Sequence, residues 1–88
     1  MNANEEYSLK QWKAVGVVVE GHPINIGGLN PWQLEWHALD EAIEVPDPYY
    51  SSQRHRLWIY EIEESGKKVI FAAGELSANM WGFFLPAT

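Results

Sequence analysis

The sequence contains no cysteine, few basic residues and no long apolar run. Without cysteine there is no disulfide framework, no thiolate metal site and no thiol nucleophile. The densest apolar stretch, Ala14 to Val19, is far shorter than the roughly 20 residues that span a membrane as a helix. Six lysines and arginines stand against twelve acids, a formal charge of −6, so the clustered cations of a phosphate-backbone binder are missing and no nucleic-acid partner is expected. The acids run from Glu5 to Glu75 without forming a block, which reads as charge that keeps a small protein soluble rather than as a nucleic-acid mimic. Met1 to Glu6 offers neither the basic nor the apolar region of a signal peptide. A soluble, cytoplasmic protein with no membrane association is therefore expected.

Large aromatics are present in their place: five tryptophans (Trp12, Trp32, Trp36, Trp58, Trp81), four tyrosines and three phenylalanines in 88 residues. The length allows one domain, over 1–88, with a polar stretch at 1–8 expected to be loosely held. So small a domain buries only on the order of 60–65% of its unfolded surface and normally adds disulfides or metal. Here the aromatics, which bury about 150–250 Å² each, are the remaining means of stabilisation.

The pattern is that of strands. Trp12 to Glu20 is rich in β-branched residues and closes on Gly21 and Pro23. Ile24-Asn25-Ile26, between glycines, reads as a brief return strand or a loop. Residues 30–45 carry two patterns. Asn30-Pro31 is a helix-start signal and Trp32, Trp36, Leu39 and Ile43 follow at helical spacing, yet Trp32, Leu34, Trp36 and Ala38 alternate with polar residues as in a strand. The alternation is preferred because the surroundings are β-rich; Leu39 breaks it. Strands His55–Glu63 and Lys68–Leu76 flank a two-residue Ser65-Gly66 turn that would set Glu64 against Lys67, Glu63 against Lys68, Ile62 against Val69 and Tyr60 against Phe71. A three-residue loop Ser77-Ala78-Asn79, with Asn79 left-handed, leads into Met80–Leu85 and completes a meander.

The expected fold is thus a single all-β domain, an antiparallel five- or six-stranded barrel or twisted sandwich ending in that meander. The alternative is α+β, with one helix over 31–43. Both faces of the meander are apolar: Trp58, Tyr60, Ile62, Val69, Phe71 and Ala73 on one, Leu57, Ile59, Ile70, Ala72 and Phe84 on the other. A second apolar face calls for cover from the rest of the chain or from another chain, and on that ground a homodimer is expected.

Catalytic apparatus is sparse. Ser8, Ser51, Ser52 and Ser77 occupy no G-x-S-x-G elbow, and Ser51 and Ser52 are only near in sequence to Asp47 and His55. His22, His37 and His55 lack the close spacing of zinc ligands, and the glycines form neither a phosphate loop nor a dinucleotide fingerprint. Glu61, on the face of Leu57 and Ile59, is either a rim residue or a carboxylate with a role. Neither a metal nor a cofactor is expected, and no enzymatic activity.

The stretch 46–56 is the most suggestive. It joins two rigid prolines, Pro46 and Pro48, to the adjacent Tyr49 and Tyr50 and to Arg54-His55-Arg56, which holds both arginines of the chain. Tyrosine and arginine are enriched in binding hot spots, and proline lowers the entropy lost when a loop is ordered by a partner. The candidate binding residues are therefore Asp47, Tyr49, Tyr50, Arg54, His55 and Arg56. The competing reading makes the tyrosines core residues and pairs the arginines with surface acids. A protein-binding, inhibitor or accessory module is the expected function, with a small-molecule-binding β-barrel holding an aromatic pocket as the alternative.

Overall fold

The computed structural model describes residues 11–50 and 52–87; the 1–8 stretch, Ser51 and Thr88 lie outside the described residues. Among the described residues five strands follow in order: β1 (Trp12–Val19), β2 (His37–Pro46), β3 (Arg54–Glu64), β4 (Lys67–Ser77) and β5 (Met80–Pro86). They form one antiparallel, unclosed sheet in the spatial order β1-β5-β4-β3-β2. No described segment forms an α-helix, so the fold is all-β as the sequence indicates.

The meander has the expected register. Glu64 faces Lys67, Glu63 faces Lys68, Ile62 faces Val69 and Tyr60 faces Phe71. Ser65 and Gly66 both take positive φ, 53° and 81°, the turn that matches the twist of a two-residue hairpin. Asn79 is left-handed, φ 61°, but Ser77 pairs directly with Met80, so the second turn is Ala78-Asn79, one residue shorter than the sequence suggests.

Residues 30–45 are neither one helix nor one strand. Asn30 caps a single 3₁₀ turn, Pro31–Gln33, by accepting the Trp32 N–H on its side chain at 3.1 Å; β2 starts only at His37. The helix-start signal is real but serves one turn. Trp32, Leu34 and Trp36 do pack on the core together, on an extended segment outside the sheet. The break in alternation at Leu39 is a bulge: Leu39, Asp40 and Glu41 stand opposite Ile59, and Asp40 takes φ 58°.

The connection from β1 to β2 crosses one face of the sheet. Ile26 and Leu29 flank Gly27-Gly28 and exchange main-chain hydrogen bonds of 2.8 and 3.0 Å, a tight turn that inserts both side chains into a core with Ile62, Phe71, Ala73 and Phe83. Ile24-Asn25-Ile26 is therefore a loop, with Ile26 and Leu29 forming an isolated bridge. Over this core Trp36 meets Tyr60, Phe71, Trp81 and Phe83 at centroid distances of 5.0, 5.1, 5.8 and 5.8 Å and donates its indole N–H to Pro31 O at 2.7 Å. Trp32 lies 5.4 Å from Trp36 and 5.7 Å from Trp81. Trp58 escapes this cover. It shares the face of Tyr60, but the connection does not reach it, and it stays 47% exposed beneath the Arg56 guanidinium, 5.5 Å from the ring centroid.

The opposite face holds a second core: Ile43, Val45, Leu57, Ile59, Ala72 and Phe84 are all buried, with Trp12, Leu39, Ile70 and Leu76 packed around them. Among the described residues both apolar faces are thus buried within one chain, apart from Trp58. A wholly uncovered face is therefore not available as the ground for a homodimer, and any self-association needs another basis.

Candidate functional site

The segment between β2 and β3 is folded around one carboxylate. Asp47 Oδ1 accepts the N–H groups of Tyr49 and Tyr50 at 2.7 and 2.9 Å, the local side-chain turn that Asp favours before proline. Its other oxygen, Oδ2, lies 2.7 Å from His55 Nε2. The ionised carboxylate can only accept, so Nε2 carries the proton and donates. The Asp47 N–H donates to Gln53 O at 2.8 Å and closes the base of the loop, while the Gln53 N–H donates to Tyr50 O at 2.9 Å. Every bond to the carboxylate favours its charged form. The His55 bond first, then the Tyr49 amide and, more weakly, the Tyr50 amide hold the Asp47 carboxyl below its ordinary value of 3.8, against an opposing effect of burial.

This brace keeps the backbone in place and leaves the rings outside. Tyr49 and Tyr50 are 74% and 65% exposed, so they are not core residues. They overhang a cleft of about 210 Å³ lined by Val17, Asp47, Tyr49, Tyr50, Gln53, Leu76, Ser77 and Met80. Three distant parts of the chain meet there: β1, the loop, and the β4–β5 turn. Val17, Leu76 and Met80 give it an apolar floor, and Val19, which faces Met80 across the strands and is 55% exposed, extends that surface along β1.

The six residues singled out in the sequence divide into two groups. Asp47, His55, Tyr49 and Tyr50 form one hydrogen-bonded unit. Arg54 and Arg56 are turned elsewhere, as the competing reading holds for Arg54. Arg54 donates to Glu44 O at 3.3 Å and its Nε lies 3.6 Å from Glu44 Oε1, an exposed pair worth at most about 1 kcal/mol. Arg56 lies over Trp58 and lines a separate depression of about 430 Å³ with Ala42, Ile43 and Glu44. Ser51 lies outside the described residues. Glu61 is a half-buried rim residue whose carboxylate lies 3.9 Å from Lys68 Nζ. His22 and His37 are exposed, and among the described residues no group of three or more His, Asp or Glu side chains converges.

Sequence reasoning missed Val17, Leu76 and Met80, because the cleft floor is made by pairing β1 with β5 and no local pattern announces it. It also grouped Trp58 with the apolar face of Tyr60 and Ile62, where the structure leaves it exposed. No helix among the described residues is long and apolar enough to cross a membrane. Comparison with protein-family models, with curated proteins and with solved structures found no match.

Proposed function

We propose that the protein is a non-catalytic protein-binding module, of the inhibitor or accessory-subunit kind, and that its partner is contacted through Tyr49, Tyr50 and the apolar cleft beneath them. One observation carries this reading. Two large aromatic side chains are held in water on a loop whose backbone is fixed by the Asp47 carboxylate. Exposed tyrosines that do nothing for packing gain nothing from so fixed a backbone; a partner that desolvates them does. Tyrosine supplies large contact area with few rotors, and a pre-formed loop loses little entropy on docking. Arg54, paired with Glu44, and Arg56, over Trp58, lie outside this cleft and are not assigned to the contact.

The small-molecule alternative has less support. Trp32, Trp36 and Trp81, which would line an aromatic pocket, lie against one another and the phenylalanines at 5.1–5.8 Å between centroids, filling the space such a pocket needs.

The test is capture from the native host's lysate with the wild type and with a Tyr49→Ala, Tyr50→Ala double variant side by side. A protein retained by the wild type and lost by an equally well folded variant supports the reading. A partner retained equally by both removes the loop from the contact surface.

A further inference from the structure

The two edges of the sheet are built differently. The β2 edge is obstructed: it carries the Leu39–Glu41 bulge, Asp40 in the left-handed region, the exposed acids Asp40 and Glu44, and Pro46. Edges so equipped resist pairing with another strand. The β1 edge has no proline and only one charge, Lys13, within Trp12–Val19. Among the described residues it pairs only with β5, and Val15 and Val19 are 38% and 55% exposed along it.

We propose that β1 pairs antiparallel with β1 of a second copy of this chain, about a two-fold axis at Val17, joining two sheets into one of ten strands. This pairing does not involve Tyr49 or Tyr50, although Val17 also lines the cleft beneath them. It rests on two kinds of self-complementarity.

The first is in the main chain. Glu20 N–H donates to Asn79 O at 2.8 Å and Gln11 O accepts from Ala87 N at 2.7 Å, which fixes the phase of the β1–β5 ladder at both ends. Antiparallel strands alternate residues that bond inward and outward. With the register shift between Ala14 and Gly16, that alternation turns the polar groups of Ala14, Val17 and Val19 to the open side. A two-fold axis at Val17 then sets Val17 against the partner's Val17, exchanging two hydrogen bonds, and lets Val19 N–H donate to the partner's Ala14 C=O. The Val19 carbonyl is already engaged by His22 N–H.

The second is in the side chains. The same axis places Lys13 opposite the partner's Glu20, twice over by symmetry, and Ala14 opposite the partner's Val19. Each pair lies on one face: Lys13 and Val18 face Leu85 and Trp81 of β5, whereas Ala14, Val17 and Val19 face Phe84, Gly82 and Met80. Glu20 follows on the side of Trp81, whose indole N–H it accepts on Oε1 at 2.9 Å; its other oxygen is available to the ammonium. In a strand without a bulge, Lys13 and Glu20, an odd number of positions apart, would lie on opposite faces, and so would Ala14 and Val19. The single bulged residue, Val15, in each strand is what brings each pair onto one face.

Sedimentation of the full chain at about 100 μM tests this. The expected species is twice the 10.1 kDa monomer. Val17→Pro removes an outward N–H and no bond of the β1–β5 ladder, and is expected to sediment as a monomer. Lys13→Glu and Glu20→Lys, each alone, set like charges opposite and should weaken association about tenfold; the double exchange should restore it. Restoration by the double exchange distinguishes pairing from a general loss of structure. A wild-type monomer at this concentration overturns the proposal, and so does a dimer indifferent to Val17→Pro and to the single charge changes. Tyr49 and Tyr50 variants should leave the dimer intact, so the failure of either reading does not imply the failure of the other.

Discussion

Asp47 holds more of the local structure than any other residue of the loop, because one carboxylate receives two backbone amides and an imidazole. Its folded pKa lies below its ordinary value of 3.8, so its contribution to stability is present above that value and is lost as pH falls through the lower, folded one. Hydrogen exchange should therefore show the Tyr49 and Tyr50 amides protected at pH 5 and still protected just below pH 3.8, with protection lost only in stronger acid. Asp47→Ala should remove that protection at every pH without unfolding the sheet. Trp36 is the corresponding residue of the core. It touches Trp32, Tyr60, Phe71, Trp81 and Phe83, and Trp36→Ala is expected to cost about 3–5 kcal/mol, a large part of the stability of so small a domain, in a urea titration. Trp36→Phe keeps a ring but loses the bond to Pro31 O, and about 1 kcal/mol beyond the change in ring size should follow.

Elements whose determinants are local are legible in the sequence, and those that depend on distant partners are not. The β3–β4 hairpin is legible because Ser65-Gly66 supplies the positive φ values and the same register satisfies two charge and two apolar pairs. Gly66→Ala, at φ 81°, should cost about 1 kcal/mol by chemical denaturation at unchanged m-value, whereas Ser65→Asn, which suits φ 53°, should be neutral or stabilising. The segment from Asn30 to Pro46 is misread because it changes element twice. A 3₁₀ turn gives the helical start, an extended run gives the alternation, and the bulge at Leu39–Glu41 shifts the phase inside β2. Its burial is read correctly even so, since Trp32, Leu34 and Trp36 all reach the core. In the candidate site, Asp47, Tyr49, Tyr50 and His55 are contiguous enough to be found by composition. The pairing of Arg54 with Glu44 depends on strand register, and the cleft floor depends on β1 reaching β5.

At the scale of the whole molecule, the antiparallel order gathers the loop after β2, the Ala78-Asn79 turn and the end of β1 at the same end of the sheet. The aromatic core lies under the β1–β2 connection, while Tyr49, Tyr50 and Val19 project at the loop end, outside both cores. Stability and the proposed recognition therefore reside in different residues, and substitution can separate them. The most direct measurement is chemical denaturation of a Tyr49→Ala, Tyr50→Ala double variant against the wild type. If the tyrosines are held out for a partner, the free energy of unfolding should change by no more than about 0.5 kcal/mol, as at ordinary surface positions. A loss of several kcal/mol, the cost of truncating core aromatics, would contradict it.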